Sequence, residues 1–153
     1  MLITTHESGI LRAMVEAEIA ASQDEVPVGA IVVLAGQVVG VGYNRREQLK
    51  NPVAHAEILA IQDAARNLAS WRLIDCSLYC TLEPCPMCLG ACQQARLKEV
   101  IFGALDPKGG ALSLGYHLNQ DLRTNHRFSA DWLETPSCSQ ILKEFFEKKR
   151  KSK

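Results

Sequence analysis

This chain of 153 residues lacks a long apolar run, a net charge and any repeated unit. No stretch approaches the ~20 consecutive apolar residues that a membrane-crossing helix requires. Glu7, Glu16 and Glu18 do not suit the basic start and apolar centre of an export signal, so a cytoplasmic location is expected. Lys and Arg total 17 and so do Asp and Glu, which taken at face value argues against a nucleic-acid partner. Without repeats, low-complexity tracts or a linker-like middle, residues 1–153 read as one domain. What is present is ordinary for a soluble globule, with 47% apolar and 22% charged residues. A chain of this length buries roughly 68–70% of its unfolded surface, enough for a real core.

The pattern alternates helix and strand. Apolar residues from Ile10 to Ala21 fall at helical spacing and predict a helix over 6–23. Residues 30–34 read as a buried strand, 35–36 as a turn and 37–43 as its hairpin partner. Residues 45–53 are polar, end at Asn51-Pro52, and read as a loop. A second helix is expected from His55 to about Leu68, then a strand over 76–81. Pro86 suits the first turn of a third helix, which runs to about Leu97. The strand expected at 100–104 follows so closely that the two strands must be parallel. Residues 103–115 are glycine-rich and irregular, and 137–150 predict a last helix with a basic tail at about 148–153. Together these give an α/β fold with helices on both sides of a mixed sheet of about five strands.

Five of the six cysteines lie between Cys76 and Cys92. In a reducing compartment that clustering points to a metal site or to small buried side chains. His55-Ala56-Glu57 precedes Pro84-Cys85-Pro86-Met87-Cys88. Cys85 and Cys88 are three apart at a helix start, so both sulfurs share one face, where the helix terminus favours thiolate. Two thiolates and an imidazole suit tetrahedral zinc and leave a fourth position open, the pattern of a catalytic site. Cys88 and Cys92 are also neighbours on that helix; the place of Cys85 at the helix start after Pro84 favours the first pair. Glu57 is close enough to His55 to move a proton of metal-activated water without ligating the metal. Cys76, Cys80, Cys92 and Cys138 read as buried apolar residues. His6, His117 and His126 have no acidic or cysteine partner at ligand spacing.

His-x-Glu followed by Pro-Cys-x-x-Cys is the signature of zinc nucleobase deaminases, and around it the chain resembles the cytidine-deaminase-like superfamily. Within that superfamily it is similar to the bacterial tRNA-specific adenosine deaminases. The resemblance runs from about Glu25 to Arg127, with a weaker match in the last helix. It is carried by residues 25–30, 42–45, 54–58, 71–73, 81–88, 102–104 and 125–127. It implies a three-layer α/β/α sandwich with one zinc per subunit, held by His55, Cys85 and Cys88, and Glu57 as proton shuttle. The reaction implied is hydrolysis of adenosine to inosine at the wobble position of an arginine tRNA anticodon, with the base splayed out of the loop. The resemblance also implies a homodimer that binds a tRNA anticodon stem-loop.

Further substrate contacts follow from the same resemblance. Asn44 matches the asparagine that hydrogen-bonds the flipped base, a role its amide suits because it both donates and accepts. Val26 and Pro27 match an apolar pocket wall. Asp106, Lys108 and His126 match positions near the RNA backbone and flanking nucleotides. Phe146 and Arg150 match the last helix, where one of Phe145 and Phe146 offers either a stacking surface or half-buried packing. Residues 115–124 depart from the family pattern.

Two other readings compete. A guanine deaminase acting on the free base would share the metal ligands and Glu57. A zinc-stabilised binding module would share the ligands but would not need Glu57. The neutral total also hides an uneven distribution. Residues 143–153 hold six basic and two acidic residues, whereas residues 1–42 hold one basic and five acidic. Local charge governs RNA affinity, so a zero total does not exclude an RNA partner.

Overall fold

A computed structural model describes residues 2–152. The element order is α1 (His6–Ser22), β1 (Gly29–Leu34), β2 (Gln37–Tyr43), α2 (Arg46–Leu49), α3 (Ala56–Leu68), β3 (Cys76–Cys80), α4 (Pro86–Gln94), β4 (Glu99–Phe102), β5 (Ser129–Trp132) and α5 (Pro136–Lys151). A single 3-10 turn, Leu118–Gln120, lies between β4 and β5. The five strands form one sheet in the order β2-β1-β3-β4-β5. β1 pairs antiparallel with β2 and β3, while β3–β4 and β4–β5 are parallel. The sheet is mixed, as expected.

Alternation along the strands sorts side chains to two faces. Ala30 and Val32 of β1, Leu78 of β3, and Val100 and Phe102 of β4 pack with Ala56, Ala60 and Ala64 of α3 and Leu89 and Cys92 of α4. Ile31, Val33, Tyr79 and Ile101 point the other way, onto Ile10, Ala13, Met14 and Ala17 of α1 and Cys138 of α5. The result is the expected three-layer arrangement. Thr5 and Ser8 start α1 with a reciprocal capping box, the Thr5 side chain accepting from the Ser8 amide at 3.0 Å.

β2 sets the seat of α3. Gly40 and Gly42 face the helix so closely that a Cβ at either would strike backbone, Ala60 O and Ala64 N at Gly40, Ala56 O and Ala60 N at Gly42. Two bare positions let the helix axis approach the strand and fix the height at which α3 begins. Val39 is the extra residue of a bulge opposite Val32 and Val33.

Three expectations change. The polar segment 45–53 contains the one-turn helix α2, held from below by the buried Glu25 carboxylate, which accepts the amides of Glu47 and Gln48 at 3.2 and 2.7 Å. Strand β5 was not expected at 129–132; its pairing with β4 supplies the fifth strand. The basic residues Lys148 to Lys151 are the last turn of α5 and not a tail, and cations there complement the negative end of the helix. Lys149 also reaches Asp24 at 2.6 Å, tying α5 to the turn after α1.

Candidate metal centre and cavity

Two helix starts meet at the carboxyl end of β3. His55 is the residue immediately before α3, and Cys85 the residue immediately before α4, with Pro86 in its first turn. Both have extended backbones, which turns their side chains back across the helix ends. Cys88, one turn into α4, is fully buried. Nδ1 of His55 lies 3.6 Å from Sγ of Cys85 and 3.6 Å from Sγ of Cys88. Among the described residues this trio is the one cluster of at least three candidate ligands whose donor atoms converge.

The spacing fits zinc. Bonds of about 2.0 Å to nitrogen and about 2.3 Å to sulfur, meeting at a tetrahedral angle, separate the two donors by about 3.5 Å. The electrostatics agree. The Cys88 hydrogen bond holds the Cys85 thiol down at about 4, with His55 adding to the effect, which favours the thiolate form a metal ligand needs. The same bond and burial push Cys88 up, and the bond to Cys85 raises His55. The rival ligand Cys92 is fully buried in the core between α4 and the sheet, and burial drives its thiol up.

Glu57 stands in the first turn of α3 with 4% of its surface exposed. Burial pushes its carboxyl up to about 7, against the opposing pull of its own amide, His55 and the Cys88 thiol. A carboxyl balanced there exchanges a proton in either direction at neutral pH.

Above these groups opens a cavity of about 460 Å³. Its floor is His55, Ala56, Glu57 and Cys85. Its walls are apolar (Val26, Val28, Leu82, Leu105, Leu142 and Phe146), with Asn44, Arg46, Glu83 and Asp106 as the polar lining. A few convergent polar groups in an apolar concavity describe a small-molecule or nucleobase site. Two buried carboxylates fasten its rim. Glu25 holds α2 as described, and Glu83 accepts the amides of Asp106 and Ser113 at 3.1 and 2.8 Å and the Ser113 hydroxyl at 2.6 Å.

The structure gathers some of the expected substrate residues and scatters others. Val26, Asn44, Asp106 and Phe146 line the cavity. The Asn44 amide donates to Val26 O at 3.2 Å and accepts from Arg46 N at 3.2 Å, leaving one N–H and one lone pair free. Asp106 spends one oxygen on Gly109 N at 3.1 Å. Pro27 is buried behind the wall, and Val28, two residues from Val26, takes the facing position. Lys108 is exposed beyond the cavity. Arg150 is exposed on α5, four residues past Phe146 and eight past Leu142, so it extends the stripe that walls the cavity. His126 is at the opposite end of the sheet, where its Nε2 lies 2.6 Å from Leu97 O and its ring stacks on Phe128 at 5.7 Å.

Sequence reasoning missed Val28, Arg46, Leu82, Glu83, Leu105 and Leu142. Leu142 carried a legible signal, since it precedes Phe146 by one helical turn. Arg46 carried none, because the polar segment around it reads as solvated loop.

The MafB19-like deaminase family matches residues 4–150 of the chain. A tRNA-specific adenosine deaminase of Bacillus subtilis (strain 168) is 40% identical over 152 residues, which cover 99% of this chain and 94% of that protein. One from Aquifex aeolicus (strain VF5) is 43% identical over 138 residues, 90% of this chain and 91% of that protein. A structure from a study of A-to-I editing by tRNA:A34 deaminases at the wobble position of transfer RNA superposes with a TM-score of 0.78 and 37% identity, covering 89% of this chain and 97% of that one. The chain belongs to the MafB19-like deaminase family and is one of the tRNA-specific adenosine deaminases.

Proposed function

We propose that the chain converts adenosine to inosine at the wobble position of a tRNA anticodon, adenosine and water giving inosine and ammonia, with an arginine tRNA as the substrate. The observation that carries this reading is Glu57, a carboxyl buried on the floor of the cavity beside three converging ligand atoms. A purely structural metal site has no use for that group. His55, Cys85 and Cys88 would hold zinc, one per subunit, whose Lewis acidity makes a water nucleophilic near neutral pH.

The chain's own residues do the rest. Glu57 takes a proton from the attacking water and delivers one to the departing amino group. The free N–H and lone pair of Asn44 meet the edge of the flipped base. Val26, Val28 and Leu82 press on its faces and exclude water, which strengthens the polar contacts. Phe146 lies 44% exposed at the α5 wall and offers a surface on which a neighbouring base can stack. Lys108 and Arg150 reach out from beside the cavity to the RNA backbone. His126, at the far end of the sheet, serves RNA held by a second copy, in keeping with a homodimer. Residues 1–153 act as one domain, in the cytoplasm with the tRNA. No helix among the described residues is long and apolar enough to cross a membrane.

The test incubates zinc-loaded protein with an anticodon stem-loop and, separately, with free guanine. Inosine at the wobble position is expected in the RNA. Ammonia from guanine with unmodified RNA would overturn the reading in favour of a free-base deaminase.

A further inference from the structure

The cavity holds one cation among its lining residues, and the reaction just described gives it nothing to do. Arg46 is at the rim, two residues after Asn44, while Glu57, Glu83 and Asp106 bring carboxyls to the same lining. Its guanidinium makes no hydrogen bond or ion pair to another described residue, whereas Arg12, Arg66, Arg96, Arg123 and Arg127 are all engaged. It is nonetheless not a loosely placed surface residue at its base. The backbone that carries it is held on both sides. Arg46 N donates to the Asn44 side chain at 3.2 Å, and the next two amides donate to the buried Glu25 carboxylate. Glu25 is 2% exposed, so this anchor is built into the core. Arg46 is exposed, and an unpartnered guanidinium on a fixed base at the cavity rim is free to meet whatever the substrate leaves at the mouth.

We propose that Arg46 binds the phosphodiester next to the flipped adenosine, and that Glu25 is the positioning residue that sets its height over the cavity. The inference rests on the RNA substrate proposed above. A base seated on the floor leaves its ribose and flanking phosphates at the rim. A guanidinium reads such an anion through a planar pair of N–H donors, which a lysine cannot reproduce. The contact separates a nucleotide within a chain from a free base, since a free base brings no phosphate to Arg46. In the rival arrangement the guanidinium is merely solvated, and its removal is silent.

The experiment uses zinc-loaded protein and a fluorescent anticodon hairpin, with binding read by anisotropy and deamination read separately on the same samples. For Arg46→Ala the expected result is about a tenfold weaker Kd and a salt slope shallower by about one counterion, with kcat within about twofold. Arg46→Lys recovers only part of the affinity. Replacing single loop phosphates by neutral methylphosphonates should reveal one position at which wild type loses the same affinity and Arg46→Ala loses no more. Glu25→Gln keeps the shape of the anchor but weakens its grip on the two amides, and should raise KM with kcat little changed. Equal hairpin affinity for wild type and Arg46→Ala at every salt concentration overturns the proposal, as does an Arg46→Ala defect that persists at every methylphosphonate. Binding is scored whether or not turnover occurs. A hairpin bound through Arg46 but never deaminated therefore refutes the proposed reaction while leaving the phosphate contact standing.

Discussion

Burial leaves the Glu57 carboxyl near neutrality, half inclined to hold its proton, which is the condition a carrier of protons needs. Replacing it by Gln keeps the shape and removes the proton exchange. Glu57→Gln is expected to bind one zinc per chain by metal analysis while single-turnover inosine formation falls at least about 100-fold. The cysteines separate in a similar way. Cys85→Ala should lose stoichiometric zinc. Cys92→Ala should keep it and lose only about 1 kcal/mol of stability, from a small void in the core. Metal content and denaturant midpoint, measured on both, decide between the two ligand pairs. At this scale the metal centre was legible because its information is local: the spacing of His55 to Glu57 and of Cys85 to Cys88, with a proline to start the helix. Arg46 was illegible because its meaning lies in what faces it across space. His126 shows the converse: the family resemblance pointed to a substrate contact, and the fold sets it against Leu97, away from the cavity of its own chain.

Among the elements, the strands with apolar alternation and the helices with helical spacing were readable to within a few residues. Strand β5 was not, since Ser129, Asp131 and Trp132 are exposed and no alternation marks them. Only its parallel pairing with β4, from Glu99 opposite Ser129 to Phe102 opposite Trp132, makes it a strand. Helix α2 was hidden for another reason. Four residues, three of them polar, cannot sustain a helix alone, and Glu25, twenty-one residues upstream of Arg46, holds this one in place. The contact of β2 with α3 gives a prediction of its own. Gly42→Ala puts a methyl against the backbone of Ala56 and Ala60, in the first turns of the helix that carries Glu57. The expected cost is about 1–3 kcal/mol in urea unfolding. A drop in turnover beyond the unfolded fraction should accompany it, because the start of α3 shifts with the strand.

For the molecule as a whole, the neutral charge total separates into an acidic first third and a basic end, and the fold brings the two together. Asp24 after α1 and Lys149 on α5 form an exposed pair at 2.6 Å, worth little by itself to stability. Its place is more informative than its strength, because it ties down the helix whose Leu142 and Phe146 wall the cavity. The cationic last turn of α5 is part of that helix, beside the site and not on a free tail.

His55 and Cys85 each occupy the last position before a helix, so an ion held between them clasps the beginning of α3 to the beginning of α4. Metal uptake and folding then become a single equilibrium, in which zinc acts as a stabilising ligand of the native state. Stripping it with a chelator is expected to lower Tm. The loss is roughly 4 kcal/mol when free zinc had stood about a thousandfold above its Kd, and calorimetry across a zinc titration measures it. Proteolysis should open the chain first around these two helix starts. The survival of such a protein in a cell would then follow the local supply of zinc, and a shortage would remove the enzyme along with its activity.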